Sequence, residues 1–399
     1  MRKKLVRLKQ KWHEYLENDP SGWSFFCYCV KYCIVKLYWE LGDLYLLGKI
    51  PVDPEHVTIA VRLTGGLGDT VIHRRFLEQI AARCPGCDFI IYCAVAKQGR
   101  WIFENAPYVK GVFPLVMSSG NRIRRHADII LHMNTFAFFD EEHCRFEKIR
   151  KLAPALLEMF SSCREKRKIW DCFIERHPSL DGAFARQAVM QGFNRYNFIS
   201  HLMGIPAPAP ALDLPITLKR SAELSQRHRC YITLNTGFDS YFIIVGKTAT
   251  KCYPQKLWER LVILLKEKYP GLGIVQVGNK IGKHIAGVDA DLAGKTRLDE
   301  CAGILKNSRL HIDIEGGLVH ICAALGTRCV TLFGPTSVEY FGYPHNINLR
   351  DDQCPACWWS TENWMVHCPR KHPRAECMHR LTPEKIMAAV SPILDGVIQ

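Results

Sequence analysis

Two hydrophobic patterns alternate along most of the chain. Short apolar runs, such as VTIAVRL from Val57 and CVTLFG from Cys329, are typical of buried strands. Amphipathic segments of helical period lie between them, for example over residues 255–267. The alternation predicts an α/β fold with two Rossmann-like halves, and a ligand is expected in the cleft between them.

The predicted elements fall into two groups. In the first half we expect strands at VTIAVRL, DFIIYCA, near Val112 and at ADIILHM, a helix over TVIHRRFLEQIAARC and a basic helical stretch over 144–168. In the second half we expect strands at YITLNTG, GIVQVG, LHIDI and CVTLFG, and helices over 255–267, over 298–306 and from Leu318. The sequence GIPAPAPALDLP, residues 204–215, alternates Pro with small residues and predicts an extended connector between the halves.

We therefore expect five parts. They are a helical extension (1–50), a first Rossmann-like domain (51–215), a second Rossmann-like domain (216–350), a Cys-rich finger (351–380) and a C-terminal helix (381–399), which Thr382 caps and Pro383 begins.

The helical extension combines basic and apolar residues. Its basic residues are Arg2, Lys3, Lys4, Arg7, Lys9 and Lys11, and its apolar residues at helical spacing are Trp23, Phe26, Val30, Cys33, Leu37, Leu41 and Leu44. Such an amphipathic helix either packs on its own chain or a neighbouring subunit, which we favour, or lies on an anionic membrane.

Composition narrows the class of protein. The 399 residues are 48% hydrophobic and 23% charged, a balance typical of a globular protein and unlike disordered, collagen-like or coiled-coil chains. The net charge of +14 favours anionic partners. Eighteen cysteines are too few for a small disulfide scaffold and favour a reducing compartment. Because we find neither a signal-peptide core nor a stretch long enough to span a membrane, we expect a cytoplasmic protein.

The first motif is the turn from Thr64 through Gly65, Gly66 and Gly68 to Asp69, between a predicted strand and helix. Glycines let a ligand approach the backbone, and a helix N-terminus offers amides to an anion. The order GGxG does not match the dinucleotide motif GxGxxG. Asp69 is either a helix cap, the commoner role, or a general base that takes a proton from an attacking hydroxyl.

The second motif spans residues 248–254 and follows a strand that ends near Thr236, which is itself a candidate for nucleotide binding. The triplet ending at Thr248 resembles part of a P-loop, but Tyr241 stands where the first glycine is required, so an ordinary nucleotide triphosphatase is excluded. Lys251 and the neighbouring hydroxyls of Thr248 and Thr250 are candidates to hold a diphosphate. The alternative is an exposed lysine without a role.

The third motif runs from a strand end into a helix through Glu315, Gly316, Gly317 and His320. An acid, two glycines and a helix start suit a ribose and its phosphates, and Gly278 after the strand GIVQVG is a further candidate for nucleotide binding. His320 is either a satisfied histidine on a half-buried helix or a donor to phosphate, and both interpretations stay open.

Four segments together resemble one known family. RLTGGLGDTVI, TKCYP, LAGKTRLDECAGIL and EGGLVHICAALGTRCVTLFGPT are similar to the heptosyltransferases of glycosyltransferase family 9, over about residues 57–390. The resemblance implies a GT-B fold, inverting transfer from ADP-heptose, Asp69 as general base, Lys251 on the diphosphate and the segment Glu315–His320 around the nucleotide. Where the family has Asp, then Ser or Thr, then Gly, this chain has Glu315, Gly316 and Gly317.

Four cysteines form a candidate metal finger. Cys354, Cys357, Cys368 and Cys377 have the spacing C-x2-C-x10-C-x8-C, which suits structural zinc or iron, whereas unligated thiols are the alternative. Neighbouring His367, His372 and His379 are possible substitute ligands. The finger also resembles that of bacterial autotransporter heptosyltransferases, which implies iron, ring assembly and transfer to serines of an adhesin.

The sequence thus predicts a cytoplasmic, homo-oligomeric inverting glycosyltransferase that uses no divalent metal for transfer. The resemblance implies that residues 51–215 form the acceptor domain and residues 216–350 the nucleotide-sugar domain, and that the acceptor is a lipopolysaccharide-core glycan or a protein serine. A phosphorylated acceptor would suit the basic residues Arg122, Arg124, Arg125, Arg145, Lys148, Arg150, Lys151, Arg164, Lys166, Arg167 and Lys168, whose alternative role is a solvated helix face. The competing functions are a nucleic-acid-binding protein with a zinc module and a non-catalytic sugar-nucleotide-binding protein.

Overall fold

The first half of the protein is built on a mostly parallel sheet. The computed structural model describes residues 23–48, 53–118, 123, 126–237 and 249–398. The first sheet has five strands in the order β3-β2-β1-β4-β5, with β5 antiparallel to β4. The strands are β1 (Val57–Leu63), β2 (Cys87–Cys93), β3 (Val109–Pro114), β4 (Ile129–Met133) and β5 (Ala137–Cys144).

Helices precede, cover and follow this sheet. They are α1 (Trp23–Leu47), α2 (Leu67–Arg83), α3 (Ala96–Ile102), α4 (Phe146–Leu152), α5 (Pro154–Lys166), α6 (Asp171–Glu175), α7 (Asp181–Met190) and α8 (Phe198–Met203). Short 3-10 turns lie at Leu115–Ser118 and Arg167–Trp170.

The second half has a six-stranded sheet in the order β11-β10-β9-β6-β7-β8, and its neighbouring strands are parallel. The strands are β6 (Cys230–Leu234), β7 (Leu272–Gln276), β8 (Ala290–Asp291), β9 (His311–Ile314), β10 (Cys329–Phe333) and β11 (Ile347–Arg350). The helices are α9 (Lys219–Arg227), α10 (Gln255–Lys268), α11 (Leu298–Asn307), α12 (Gly317–Leu325), α13 (Val338–Phe341), α14 (Glu376–His379) and α15 (Pro383–Ile398).

The strand orders locate the functional edges. In the first sheet the order reverses between β1 and β4, and in the second between β9 and β6. Ligands of parallel α/β sheets bind beyond the carboxyl ends of the strands at such reversals. The first reversal leads into the turn after Leu63 and into Asn134, and the second leads into Asn235 and Glu315. The predicted glycine motifs therefore follow strands that flank the two reversals.

Most predicted elements are present. The predicted strand VTIAVRL coincides with β1, and the connector 204–215 has no regular structure. The basic helical stretch expected over 144–168 is present as α4, α5 and the 3-10 turn that follows, although its first residue, Cys144, belongs to β5. Helix α5 begins anew at Pro154, because a proline ring suits only the first turn of a helix. Helix α15 begins as expected, with the Lys385 amide donating to Thr382 Oγ1 over 3.4 Å.

Helix α1 leaves a hydrophobic face open to solvent. Phe25 is buried, whereas Phe26, Leu37 and Leu41 are 56%, 59% and 58% exposed. At about 100° per residue these three side chains lie on one side of the helix, away from Phe25. The packing that we favoured for this helix on its own chain is therefore not seen for this face in the described part of the chain. Among the described residues no helix is both long and apolar enough to cross a membrane.

Candidate functional site

Asp69 lies in the first turn of α2, at the end of the glycine turn that follows β1. Its Oδ2 accepts a hydrogen bond from the Gly66 amide over 3.0 Å, so the carboxylate caps the N-terminus of the helix. Gly65 has a φ of 106° and packs so closely that an added Cβ would lie 2.4 Å from Asp69 Oδ2. The cap role expected for Asp69 is thus present, and 40% of its side chain stays accessible to a substrate.

A buried arginine holds the other oxygen of this carboxylate. Arg195 Nη2 donates to Asp69 Oδ1 over 2.7 Å, and Arg195 Nη1 donates to the Asn134 carbonyl over 3.0 Å. Burial raises the pKa of Asp69, but the charges of Arg195 and His73 together with the hydrogen bonds outweigh it and bring the pKa to about 2. Asp69 is therefore ionised at neutral pH.

His73 and Asn134 complete the surroundings of Asp69. His73 Nε2 lies 2.9 Å from the Asn134 carbonyl oxygen, and its Nδ1 is buried without a hydrogen bond. Burial and the charge of Arg195 lower the pKa of His73 to about 4, so the ring is neutral at pH 7. No sequence motif pointed to Arg195 or Asn134, because only the fold brings them to the glycine turn. His73 was missed although it lies one helical turn after Asp69 on α2, where its helical spacing from Asp69 was a signal.

The third motif forms a second strand-to-helix turn, before α12. Glu315 is buried, and its Oε2 accepts a hydrogen bond from Lys251 Nζ over 2.6 Å. Gly316 is the N-cap of α12 and supplies no side-chain cap, so the first amides of this helix retain their capacity to bind an anion. The second and third motifs, predicted separately, thus meet in one ion pair beside a helix N-terminus.

The two glycine turns touch each other. An added Cβ at Gly68 would lie 2.3 Å from His320 Cδ2, and one at Gly317 would lie 3.3 Å from the Leu67 side chain. The N-termini of α2 and α12 therefore face each other across the boundary between the two sheets. Gly68 is required there because a side chain would collide with the His320 ring, and Gly317 leaves little room beside Leu67.

His320 lies in this contact. Its Nδ1 is 2.9 Å from the Tyr343 hydroxyl, and its Nε2 is 4.0 Å from Glu315 Oε1. Burial lowers the pKa of His320 to about 4. One ring nitrogen is thus already engaged by the protein, and the other faces the acid of the second turn.

The remaining nucleotide candidates lie at the ends of β6 and β7. Thr236 Oγ1 is buried without a hydrogen bond. Gly278 has a φ of 126°, and an added Cβ would lie 2.3 Å from Asn235 Oδ1, so this turn requires glycine. Asn235 Nδ2 donates to Asp313 Oδ2 over 3.0 Å, which ties the turn to β9.

Of three further predicted residues, two make hydrogen bonds within the protein and one lies outside the described residues. The Thr250 hydroxyl donates to the Trp364 carbonyl over 2.8 Å, so it fastens the second motif to the Cys-rich segment. Thr64 is exposed, and its amide donates to the Met133 carbonyl over 3.1 Å. Thr248 lies outside the described residues.

The four cysteines of the expected finger are free thiols that lie near one another. Burial and the neighbouring Cys354, Cys357 and Cys368 raise the pKa of Cys377 to about 12. Four thiols suit zinc or iron chemically. Within the described ranges, however, no group of three or more His, Cys, Asp or Glu side chains is placed to hold a metal ion. The thiols are therefore neighbours that do not form a metal centre in this structure.

Several of the basic residues on the acceptor side serve the fold. Arg145 Nη1 and Lys148 Nζ contact the buried carboxylate of Asp128 over 3.1 and 2.9 Å, and Arg167 pairs with Asp171 over 3.0 Å. Arg122, Arg124 and Arg125 lie outside the described residues.

A groove of about 550 Å³ lies beside β4 and β5. His132 stacks on Phe138 there with ring centroids 4.7 Å apart. The groove is lined by His132, Phe138, Phe139, Asp140, Glu141, Glu142, Arg164, Arg167, Lys168 and Asp171. It therefore carries both acidic and basic groups rather than a uniformly basic surface.

Residues 188–378, just under half of the chain, match the family model of glycosyltransferase family 9, heptosyltransferase. This part of the chain belongs to glycosyltransferase family 9. Among curated proteins, the lipooligosaccharide heptosyltransferase 2 of Haemophilus influenzae is 40% identical over 50 residues, which are 12% of this chain and 14% of that protein. The match thus spans about a seventh of that relative. The family expected from the motifs is confirmed, and it is a family of glycosyltransferases.

Solved structures extend the likeness to the fold. The E. coli ADP-heptose lipopolysaccharide heptosyltransferase II is 14% identical with a TM-score of 0.52, covering 85% of this chain and 98% of its own. A family 9 glycosyltransferase from Veillonella parvula is 15% identical with a TM-score of 0.53, covering 85% of this chain and 97% of its own. The dodecameric, iron-containing heptosyltransferase TibC in complex with ADP-D-beta-D-heptose is 13% identical with a TM-score of 0.54, covering 86% of this chain and 77% of its own. The expected GT-B fold is therefore confirmed.

Proposed function

We propose that the protein is an inverting glycosyltransferase that transfers a heptose from ADP-heptose to an acceptor hydroxyl. The observation that carries this proposal is the contact between the two glycine turns. It brings Asp69 on one side close to the pair of Lys251 and Glu315 on the other. An ionised carboxylate facing a cation and a helix N-terminus suits a reaction in which a hydroxyl loses a proton while a diphosphate departs.

In this reaction the acceptor oxygen forms a bond to the anomeric carbon from the face opposite the diphosphate. The bond between that carbon and the diphosphate oxygen breaks, and ADP leaves with the electron pair. Asp69 accepts the proton of the acceptor hydroxyl. Lys251 and the amides at the start of α12 stabilise the charge that develops on the diphosphate, so the transfer uses no divalent metal.

We place the nucleotide in the part of the chain over 216–350 and the acceptor in the part over 51–215. Thr236, whose buried hydroxyl has no partner, and the Gly278 turn suit a nucleoside, and Glu315 suits ribose hydroxyls. Gly316 and Gly317 allow phosphates to approach the backbone of α12. His320 is placed to act beside them through Nε2.

The groove beside β4 is the proposed acceptor site. The paired rings of His132 and Phe138 offer an apolar surface, and the surrounding acids and bases offer hydrogen bonds to hydroxyl groups. This mixture suits a glycan such as a lipopolysaccharide core. A serine of a protein such as an autotransporter adhesin is the alternative acceptor.

The Cys-rich segment is proposed to bind a structural metal through Cys354, Cys357, Cys368 and Cys377. Their nearness and the iron of the similar TibC support this proposal, and TibC also supports assembly into a homo-oligomer. A site with four thiolates leaves no open coordination position, so such a metal would order the segment rather than react. Metal analysis of the purified protein, with Cys357→Ser as the matched variant, distinguishes iron, zinc and no metal.

We also propose that the protein acts in the cytoplasm, where the open face of α1 contacts an anionic membrane surface. The apolar side chains on this face and the six basic residues among positions 2–11 suit such a surface. Sedimentation with vesicles that contain phosphatidylglycerol is expected to retain the protein, and Leu37→Glu is expected to release it. Retention by neutral vesicles alone, or dimer formation without vesicle binding, would contradict this contact.

Incubation of the protein with ADP-heptose and each acceptor class tests the proposed function directly. Mass spectrometry is expected to detect a heptosylated product, with ADP released in equal amount. Binding of ADP-heptose without turnover would favour a sugar-nucleotide-binding protein. Binding to DNA or RNA with steep salt dependence, and no binding of nucleotide sugar, would favour the nucleic-acid-binding alternative.

A further inference from the structure

Arg195 is a buried cation that none of the sequence motifs contains. It lies between α7 and α8, 126 residues from Asp69 along the chain, and its side chain is 3% exposed. A buried guanidinium is costly unless it is paired and hydrogen-bonded. Arg195 satisfies this requirement with two acceptors at once, the Asp69 carboxylate and the Asn134 carbonyl.

These two contacts fix the orientation of the Arg195 guanidinium as well as placing its charge beside Asp69. The two nitrogens Nη1 and Nη2 belong to one rigid plane, so binding Asn134 through one nitrogen sets where the other meets Asp69. The second oxygen of Asp69 is held by the Gly66 amide. Both carboxylate oxygens are therefore constrained, one by the helix and one by Arg195.

The segment that carries Arg195 is also attached to the second half of the protein. The Arg195 amide donates to the Tyr340 carbonyl over 2.9 Å, and the Tyr196 hydroxyl donates to the Phe341 carbonyl. The Tyr196 ring stacks on Tyr343 with centroids 4.2 Å apart. Tyr343 is in turn the partner of His320. Residues 195–196 thus connect Asp69 with the second glycine turn.

Arg195 is also the charged partner that faces Asp69 at neutral pH. The other titratable groups around Asp69 are His73, His320 and Tyr340. Both histidines have a lowered pKa, and burial raises the pKa of the Tyr340 phenol, so all three are neutral near pH 7. Among these groups, Arg195 is therefore the one that carries a positive charge beside Asp69 near pH 7, and below about pH 4 protonated His73 adds its charge to that of Arg195.

We propose that Arg195 is a positioning residue that orients the Asp69 carboxylate and couples its position to the segment Tyr340–Tyr343 of the second half. The coupling to catalysis rests on the proposed function, because it requires Asp69 to be the base. The orientation of Asp69 by Arg195 can be measured without any transfer reaction.

Three variants test this proposal. Arg195→Lys keeps a positive charge but loses the planar pair of donors, and Arg195→Ala loses both. The matched control is Arg74→Lys, since Arg74 is also buried on α2 but binds Glu78 over 3.0 Å and, five residues after Asp69, lies about 140° from it around the helix. Two quantities are measured: the carboxyl pKa of Asp69 by carbon-13 NMR, with its signal assigned through Asp69→Asn, and the pH profile of kcat/KM for transfer.

In Arg195→Ala the pKa of Asp69 is expected to rise by about one to three units, because burial then acts without the opposing charge. The acid limb of the kcat/KM profile moves to higher pH by the same amount, and kcat falls about 100-fold at unchanged donor KM. In Arg195→Lys the acid limb stays near its wild-type position while kcat still falls. Arg74→Lys changes neither quantity.

Two results would overturn the proposal. One is an Asp69 pKa in Arg195→Ala equal to that of the wild type in a folded protein. The other is an equal loss of kcat in Arg74→Lys, which would show that any buried arginine on this side has the same effect. If the NMR shift occurs but Asp69→Asn leaves transfer intact, Arg195 positions Asp69 and the base assignment in the proposed function is what fails.

Discussion

The two glycine turns share a backbone arrangement but differ in where their acidic residue lies. Each follows a strand beside a reversal of strand order and leads into a helix, and the two helices meet end to end. In the first turn Asp69 lies inside the helix and closes its N-terminus. In the second turn Glu315 lies before the cap Gly316 and pairs with Lys251, which leaves the start of α12 without a side-chain cap.

This difference divides the proposed reaction between the turns. An acid within the first turn of a helix satisfies its amides and remains ionised, so that turn handles the proton of the acceptor. A helix start without a side-chain cap, beside a lysine, suits the phosphates of the donor. A strand-to-helix turn of this kind thus suits the acceptor when its acid lies inside the helix, and the donor phosphates when its acid lies before the helix.

The largest expected effect is a loss of transfer rate when the acid of the first turn is replaced. Asp69→Asn is expected to lower the transfer rate about 100- to 10,000-fold, because the amide cannot take the proton. Donor affinity should stay near the wild-type value. Initial rates of product formation measure this effect, and Glu78→Gln, on the same helix, is the control. A wild-type rate in Asp69→Asn would assign the base to another residue.

The second turn is tested through donor binding. Lys251→Ala is expected to weaken binding of ADP about 10- to 100-fold, since a charge-assisted hydrogen bond contributes about 1.5–3 kcal/mol. Lys266→Ala is the control, because Lys266 also pairs with an acid, Asp289, over 2.7 Å. Calorimetric titration measures both affinities, and equal affinities would remove Lys251 from the diphosphate site.

A pair of glycine variants tests the contact between the turns. Gly68→Ala places a methyl group 2.3 Å from His320 Cδ2 and is expected to lower the free energy of unfolding by about 1–3 kcal/mol. Gly316→Ala meets no atom closer than 3.7 Å at an extended φ of −172°, so a change within about 0.5 kcal/mol is expected. Urea denaturation compares them, and similar losses would mean that the turns do not pack as described.

The last prediction concerns the pH dependence of stability. The pKa values of His73 and His320 are lowered from 6.5 to about 4, so the folded protein resists protons that the unfolded chain takes up. Stability is therefore full above about pH 6.5 and falls as the pH drops toward 4, by roughly 1.4 kcal/mol per pH unit for each histidine. Denaturation of His73→Asn at several pH values should show a weaker dependence, and a dependence equal to that of the wild type would contradict this account.

The sequence predicted the strands around each glycine turn because apolar runs and glycines act locally. It predicted Lys251 and Glu315 as separate candidates but not their ion pair, because their distance depends on the packing of β6 against β9. Arg195 carries no local signal, since its partner is 126 residues away. Thr250 is of a residue type that often contacts phosphates, yet its hydroxyl donates to a backbone carbonyl more than a hundred residues later in the chain.

The most direct test of the whole account is calorimetric titration of wild type, Asp69→Asn and Lys251→Ala with ADP, UDP and GDP. If the two turns share one nucleotide-sugar site as described, wild type binds ADP selectively, Asp69→Asn binds it equally well, and Lys251→Ala binds it more weakly. Equal binding of the three nucleotides, or no binding of ADP by the wild type, would contradict the account.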